Sequence, residues 1–273
     1  MNKSELITQI KSKRSFLCVG LDTDLAKIPK KFLNFQNPIL EFNKVIIDIT
    51  SPYCVAFKPN SAFYERHGSI GWSALDLTFK HIPKDIFKIA DAKRGDIGNT
   101  STYYANAFFD EMGADALTIA PYMGADSVQP FLTRADKWAI LLALTSNAGS
   151  ADFQQLKLDD GRFVFEAVVN QAAKWATSDQ LMFVVGATRG EFLSKMRSIA
   201  PDYFFLVPGV GAQGGDLKEV AELAMNDDCG LLVNASRSII YPEYSDNFEL
   251  AVENACKVMQ QEMELLLLKK GII

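Results

Sequence analysis

Short apolar runs alternate along this chain with longer segments whose apolar residues recur at helical spacing, and the alternation repeats eight times. The runs expected as strands are Phe16–Asp22, Cys54–Lys58, Ile86–Asp91, Ala116–Ala120, Ala139–Leu144, Leu181–Val185, Tyr203–Val207 and Gly230–Asn234. They are apolar on both faces, as strands buried inside a parallel sheet must be. Helical patterns cover Leu40–Ser51, a stretch holding Trp72, Leu75 and Phe79, a segment starting near Thr100, and a closing helix over Phe248–Lys269. A short amphipathic helix is expected within Met1–Arg14, and a long loop holding Pro29 and Pro38 follows the first strand. Eight strand–helix units in 273 residues predict a (β/α)8 TIM barrel, one α/β domain over 1–273, with a doubly wound open sheet as the alternative.

The charged positions that break this pattern sit at strand ends. The third strand runs into Asp91-Ala92-Lys93-Arg94-Gly95-Asp96-Ile97-Gly98-Asn99-Thr100. Side chains two apart on a strand share a face, so Asp91 and Lys93 are expected to point into one space. Asp96 lies beyond the strand on the loop and need not. The second strand ends in Phe57-Lys58-Pro59-Asn60, which supplies a second lysine. A charge run is often a solvated ion-pair loop. Opposite charges at the carboxyl ends of apolar strands are, however, where α/β enzymes keep their chemistry. A Lys-Asp-Lys-Asp array is the result; Asn60 has no role that spacing supplies.

After the seventh strand comes Pro208-Gly209-Val210-Gly211-Ala212-Gln213-Gly214-Gly215-Asp216, which contains a formal G-x-G-x-x-G. A dinucleotide fingerprint normally opens the first βα unit, and this is the seventh. Glycines there let backbone N–H groups approach an anion, and the helix that follows favours negative charge at its start. The last strand leads into Ala235-Ser236-Arg237, so a guanidinium stands beside that loop, in the region where barrels commonly hold phosphate. A surface arginine beside a plain turn is the plainer alternative. Asp22 ends the first strand, and Thr145-Ser146-Asn147 follows the fifth. Ser146 could hold a ring amide or cap a turn. Thr100 is a candidate helix N-cap, and 147–161 is a candidate lid.

The array, together with the longer motif D-x-K-R-G-D-I-x-x-T, resembles the orotidine 5'-monophosphate decarboxylase family over about Phe16–Tyr241. The Phe57-Lys58-Pro59-Asn60 version of the second strand and the longer loops resemble its bacterial branch. The resemblance implies a barrel that converts orotidine 5'-monophosphate to UMP and CO2 without a metal or organic cofactor. It implies Lys93 as proton donor, with Asp91, Lys58 and Asp96 completing the charge array. It implies Asp22 with Lys58 on ribose hydroxyls, Ser146 on the pyrimidine edge, and Gln213, Gly214 and Arg237 on the 5'-phosphate. It also implies a homodimer with shared sites, in which Asp96 and Thr100 reach the neighbouring subunit's substrate.

Composition narrows the alternatives. Net charge is −5 with no basic block, which argues against a nucleic-acid partner. Charges interrupt every apolar stretch before membrane-spanning length, and residues 1–14 lack a signal-peptide core, so a cytoplasmic protein is expected. Cys18, Cys54, Cys229 and Cys256 are widely spaced and read as buried thiols. The two histidines, His67 and His81, support neither a zinc site nor a Ser-His-Asp triad. Three competing readings remain. One is a Mg-dependent sugar-phosphate decarboxylase or aldolase sharing the bare D-x-K-x-x-D. Another is a Schiff-base lysine enzyme. The last is a catalytically silent nucleotide-binding barrel.

Overall fold

The computed structural model describes residues 1–187, 190–210 and 215–273. Eight parallel strands close into a barrel in chain order: β1 (Leu17–Gly20), β2 (Ala56–Lys58), β3 (Phe87–Arg94), β4 (Ala116–Ile119), β5 (Trp138–Leu144), β6 (Leu181–Val185), β7 (Phe204–Pro208) and β8 (Leu231–Ala235). β8 pairs back onto β1 through Cys18 and Asn234, which closes the ring and excludes the open sheet. The helices are α1 (Lys3–Lys13), α2 (Pro38–Thr50), α3 (Ala62–Glu65), α4 (Gly68–His81), α5 (Asn99–Ala105), α6 (Ala125–Val128), α7 (Val164–Ala172), α8 (Gly190–Ile199), α9 (Leu217–Ala224), α10 (Arg237–Ile240) and α11 (Phe248–Lys270). No helix among the described residues is long and apolar enough to cross a membrane.

The strands form where the apolar runs lie because a closed parallel barrel hides both faces of each one. β1, β4 and β6 are buried at every position. At the amino-terminal end of the barrel Trp138 meets Phe87 and Phe204 edge to face, with centroids 6.0 and 6.5 Å away. Its indole N–H donates to the Met1 carbonyl at 2.9 Å. α1 therefore packs across the barrel floor, capped by Asn2 and Glu5 and burying Leu6 and Ile10. All four cysteines are buried and free, as expected of packing residues.

Two elements differ from the sequence reading. β3 does not stop at Asp91 but runs to Arg94, because Arg94 pairs with Ile119 and its carbonyl accepts the Ala120 N–H at 2.9 Å. Thr100 is not a helix cap: α5 starts at Asn99 after Gly98, and Thr100 falls in its first turn, with its N–H bonded to the Ile97 carbonyl.

Candidate active site

The carboxyl ends of the strands surround a cavity of about 620 Å3. Asp22, Lys58, Asp91, Lys93, Ser146 and Arg237 all line it. These six sequence-predicted residues are thus brought together from β1, β2, β3, the loop after β5 and the start of α10. Asp96 and Thr100 are not among the lining residues. Gln213 and Gly214 lie outside the described residues.

Asp91 is the hinge of the charge array. Its Oδ2 accepts from Lys58 Nζ at 2.8 Å and its Oδ1 from Lys93 Nζ at 2.6 Å. Burial alone would push the Asp91 carboxyl up, but the two ammonium groups outweigh it and hold it well below the usual carboxylate range. Burial would likewise pull the Lys58 ammonium down, and Asp91 with Asp22 reverses that and holds it above its ordinary value. The two lysines differ in access: the Lys58 side chain is 5% exposed and that of Lys93 is 50% exposed. Lys58 is therefore a fixed charge in the wall, while Lys93 is open to whatever enters.

Strand alternation does not bring Asp91 and Lys93 together. Ala90 pairs with Leu117 and Arg94 with Ile119, so three residues of β3 oppose the single Thr118 of β4. This is a bulge, and such irregularities re-aim side chains. Lys93 sits inside it with φ +47°, in the left-handed region. The next residue points elsewhere: Arg94 pairs with Glu65 and lies over the Tyr104 and Phe108 rings. The adjacent cations of the Lys-Arg pair are thus separated, one into the cavity and one onto the helices.

The backbone on the other side of Asp91 is also held. Its N–H donates to the Pro59 carbonyl at 3.0 Å and its carbonyl accepts the Ser61 N–H at 3.2 Å. Asn60 completes this bridge and turns its own Oδ1 to the Ala62 N–H, which accounts for the polar residue left without a role above.

Asp22 is positioned by a buried polar network. Tyr64 Oη donates to the Leu21 carbonyl at 2.9 Å, and Tyr241 Oη bonds the Asp22 carbonyl and the Asp24 N–H. Thr23 Oγ1 meets Asn43 Oδ1, whose amide donates to Tyr64 and Thr78. The backbone of 21–24 is therefore fixed on both sides, while buried Asp22 Oδ1 has no hydrogen-bond partner among the described residues. A buried carboxylate oxygen left open at a cavity wall is a ready acceptor for a ligand hydroxyl. Burial pushes the Tyr241 hydroxyl up to about 12, so it stays a neutral donor at physiological pH.

Ser146 is packed against β6, where a Cβ on Gly186 would come within 2.8 Å of the serine backbone. Only glycine permits that approach. The candidate lid is folded back: the Gln154 side chain accepts the Thr145 N–H at 2.8 Å, and Lys157 bridges to Phe163. At the glycine-rich loop, α9 differs from the expectation. Asp216 caps its first turn, with Oδ1 accepting the Lys218 N–H at 2.7 Å, so that helix end already holds a carboxylate. Arg237 brings positive charge to this side: its guanidinium bonds no described residue and opens onto the cavity beside Gly209.

Thr118, Asn234 and Tyr241 line the same cavity and were not singled out in the sequence. The signal for the first two was present: each is one polar residue in an otherwise apolar buried strand, and such a residue needs a reason. Tyr241 carried none, since its role depends on the fold bringing residue 241 to residue 22.

Comparison with known proteins agrees with this geometry. Residues 15–245 match the family described as Orotidine 5'-phosphate decarboxylase / HUMPS family. The chain is similar to the orotidine 5'-phosphate decarboxylase of Porphyromonas gingivalis, 55% identical over 276 residues and covering 100% of both chains. It is 54% identical to that of Parabacteroides distasonis, covering 100% of this chain and 99% of the relative. Among solved structures, Leishmania donovani OMP decarboxylase superposes with a TM-score of 0.85 at 36% identity, covering 97% of this chain and 98% of that one.

Proposed function

This chain belongs to the orotidine 5'-phosphate decarboxylase family, and on that premise we propose that it converts orotidine 5'-monophosphate to UMP and CO2 in pyrimidine biosynthesis, as one barrel domain in the cytoplasm. The observation that carries the reading is Asp91 bonded at once to Lys58 and Lys93 in the cavity at the carboxyl end of the barrel.

In the proposed reaction the bond from C6 to the substrate carboxylate breaks, CO2 leaves neutral, and the electron pair stays on C6. The ring offers that pair no position to delocalise into, so a fixed positive charge must meet it. Lys93 does so, then donates an ammonium proton to C6 and becomes the amine. An ion pair at ~4 Å is worth about 4 kcal/mol at an effective dielectric near 20. Enzymes lower barriers by roughly 8–23 kcal/mol, so Lys93 acts with others. Asp91 lies beside the leaving carboxylate and raises the bound ground state by like charge. Lys58 keeps the array near neutrality. Asp22 with Lys58 takes the ribose hydroxyls, Ser146 the pyrimidine edge, and Arg237 with Gln213 and Gly214 the 5'-phosphate. These contacts are remote from C6, and their binding energy positions the ring.

Asp96 and Thr100 act in this reading across a homodimer. Support comes from where they turn: Asp96 Oδ1 accepts the Ile97 N–H at 2.7 Å rather than meeting Lys93. Around them Ile97 is 65%, Tyr103 65% and Tyr122 94% exposed, an apolar rim suited to a second copy. The decisive experiment follows the loss of orotidine monophosphate absorbance with purified protein, with and without a chelator. Turnover insensitive to chelator is expected. No turnover refutes the decarboxylase, and chelator-dependent turnover favours Mg-dependent chemistry.

A further inference from the structure

We infer that Thr118 is a positioning residue for decarboxylation: its one hydroxyl sets both the Lys93 backbone and the Asp91 carboxylate, an inference that rests on the reading above. Thr118 is the residue of β4 that faces the β3 bulge, alone opposite Asp91, Ala92 and Lys93. The bulge takes the Lys93 N–H out of the ladder, and a backbone donor that loses its ladder partner needs another acceptor. Thr118 Oγ1 supplies it at 2.9 Å, in place of the carbonyl a regular ladder would have offered.

A hydroxyl has one proton to give. Asp91 Oδ1 stands 3.0 Å from Thr118 Oγ1 and the Ala90 carbonyl 3.5 Å, so the proton goes to Asp91. Oδ1 is the same oxygen that accepts from Lys93 Nζ. Thr118, a residue 1% exposed, therefore closes a loop: Lys93 N–H to Thr118 Oγ1, Thr118 Oγ1 to Asp91 Oδ1, and Asp91 Oδ1 back to Lys93 Nζ.

The loop matters because Lys93 has a left-handed backbone, which a non-glycine residue keeps only where its surroundings hold it. Strand geometry does not aim the Lys93 ammonium, and its own side chain is half-exposed. The hydroxyl of Thr118 is the group that ties the bulge to the sheet and turns the carboxylate toward the amine. Valine would fill the same space and make neither bond. Serine would make both.

The test compares Thr118→Val, Thr118→Ala and Thr118→Ser with the parent for kcat, KM, UMP affinity and melting temperature. A small displacement of the proton donor lowers kcat by ~10²-fold. That loss is expected for Val and Ala, with UMP affinity unchanged because its ribose and phosphate contacts lie elsewhere, and with Ser near the parent. An active parent with equally active Val and Ala variants overturns this inference alone. So does a Ser variant as impaired as Val, or UMP affinity falling in step with kcat, which would make Thr118 merely structural. A parent that leaves orotidine monophosphate untouched overturns the decarboxylase reading and this inference with it.

Discussion

The two ends of the barrel each enclose a cation, and they satisfy it by opposite means. At the mouth, Lys58 is neutralised by carboxylates, with Asp91 at 2.8 Å. At the floor, Arg197 of α8 makes no ion pair among the described residues. It donates to the carbonyls of Ala200, Pro201, Tyr203, Ala224 and Gly230 at 2.7 to 3.0 Å, with its guanidinium 3.9 Å from the Phe205 ring centre. Those carbonyls end α8 and α9 and precede β7 and β8, so one planar fork ties four elements together. Burial pulls the Arg197 guanidinium below its ordinary value, whereas the carboxylates raise Lys58 despite its deeper burial. A cation bound by backbone dipoles has partners that no ligand can displace, and it serves architecture. A cation bound by ionised side chains sits in a field that an entering carboxylate or phosphate changes, which suits the chemical role proposed for Lys58.

That contrast can be broken most sharply at the mouth. Lys93→Ala should lower turnover of orotidine monophosphate by ~10⁴-fold or more, since it removes both the proposed proton donor and its charge. Its half-exposed side chain carries little packing and Lys58 still pairs with Asp91, so the variant should fold with only a small change in melting temperature. Substantial residual turnover in a folded variant would remove Lys93 as the donor. The floor should respond the other way. Arg197→Met strands several carbonyls and should cost about 2–3 kcal/mol of stability, seen as a melting temperature lower by roughly 5–10 °C. Its kcat per folded molecule should match the parent; a selective loss of kcat would mean that the floor is coupled to the site.

The smallest effect is a pH dependence. Asp91 is held below its ordinary value in the folded chain, so its stabilising contribution is present above the unfolded carboxyl's ~4 and is lost as pH falls below it. Chemical denaturation of the parent and Asp91→Asn should therefore differ fully at neutral pH, with the gap narrowing in acid. A gap that widened in acid would contradict the ion-paired state of Asp91.

The barrel was legible because eight runs with two buried faces permit few closed arrangements, and β6 and α11 lie within a residue of where the apolar pattern put them. Lys58, Asp91 and Lys93 were legible because they are charges at the carboxyl end of apolar runs. The reason offered for the pairing of Asp91 with Lys93 was not the one the fold uses, since a bulge and a left-handed backbone replace strand alternation. The first turn of α9 was expected to favour an anion and is capped by Asp216. Thr118 stood out only as a polar residue in an apolar strand, with nothing to name its partners, and the roles of Tyr241 and Arg197 were invisible, because each depends on residues brought in by the fold.

What the sequence by itself determined is the repeat of buried strands and the charges that interrupt it, since hydrophobic burial and strand-end chemistry are local in their spacing. What only the tertiary structure decided is which backbone groups lose their ladder partners and which side chains replace them. Those choices arise when strands distant in sequence settle into register, and no stretch of chain carries them alone.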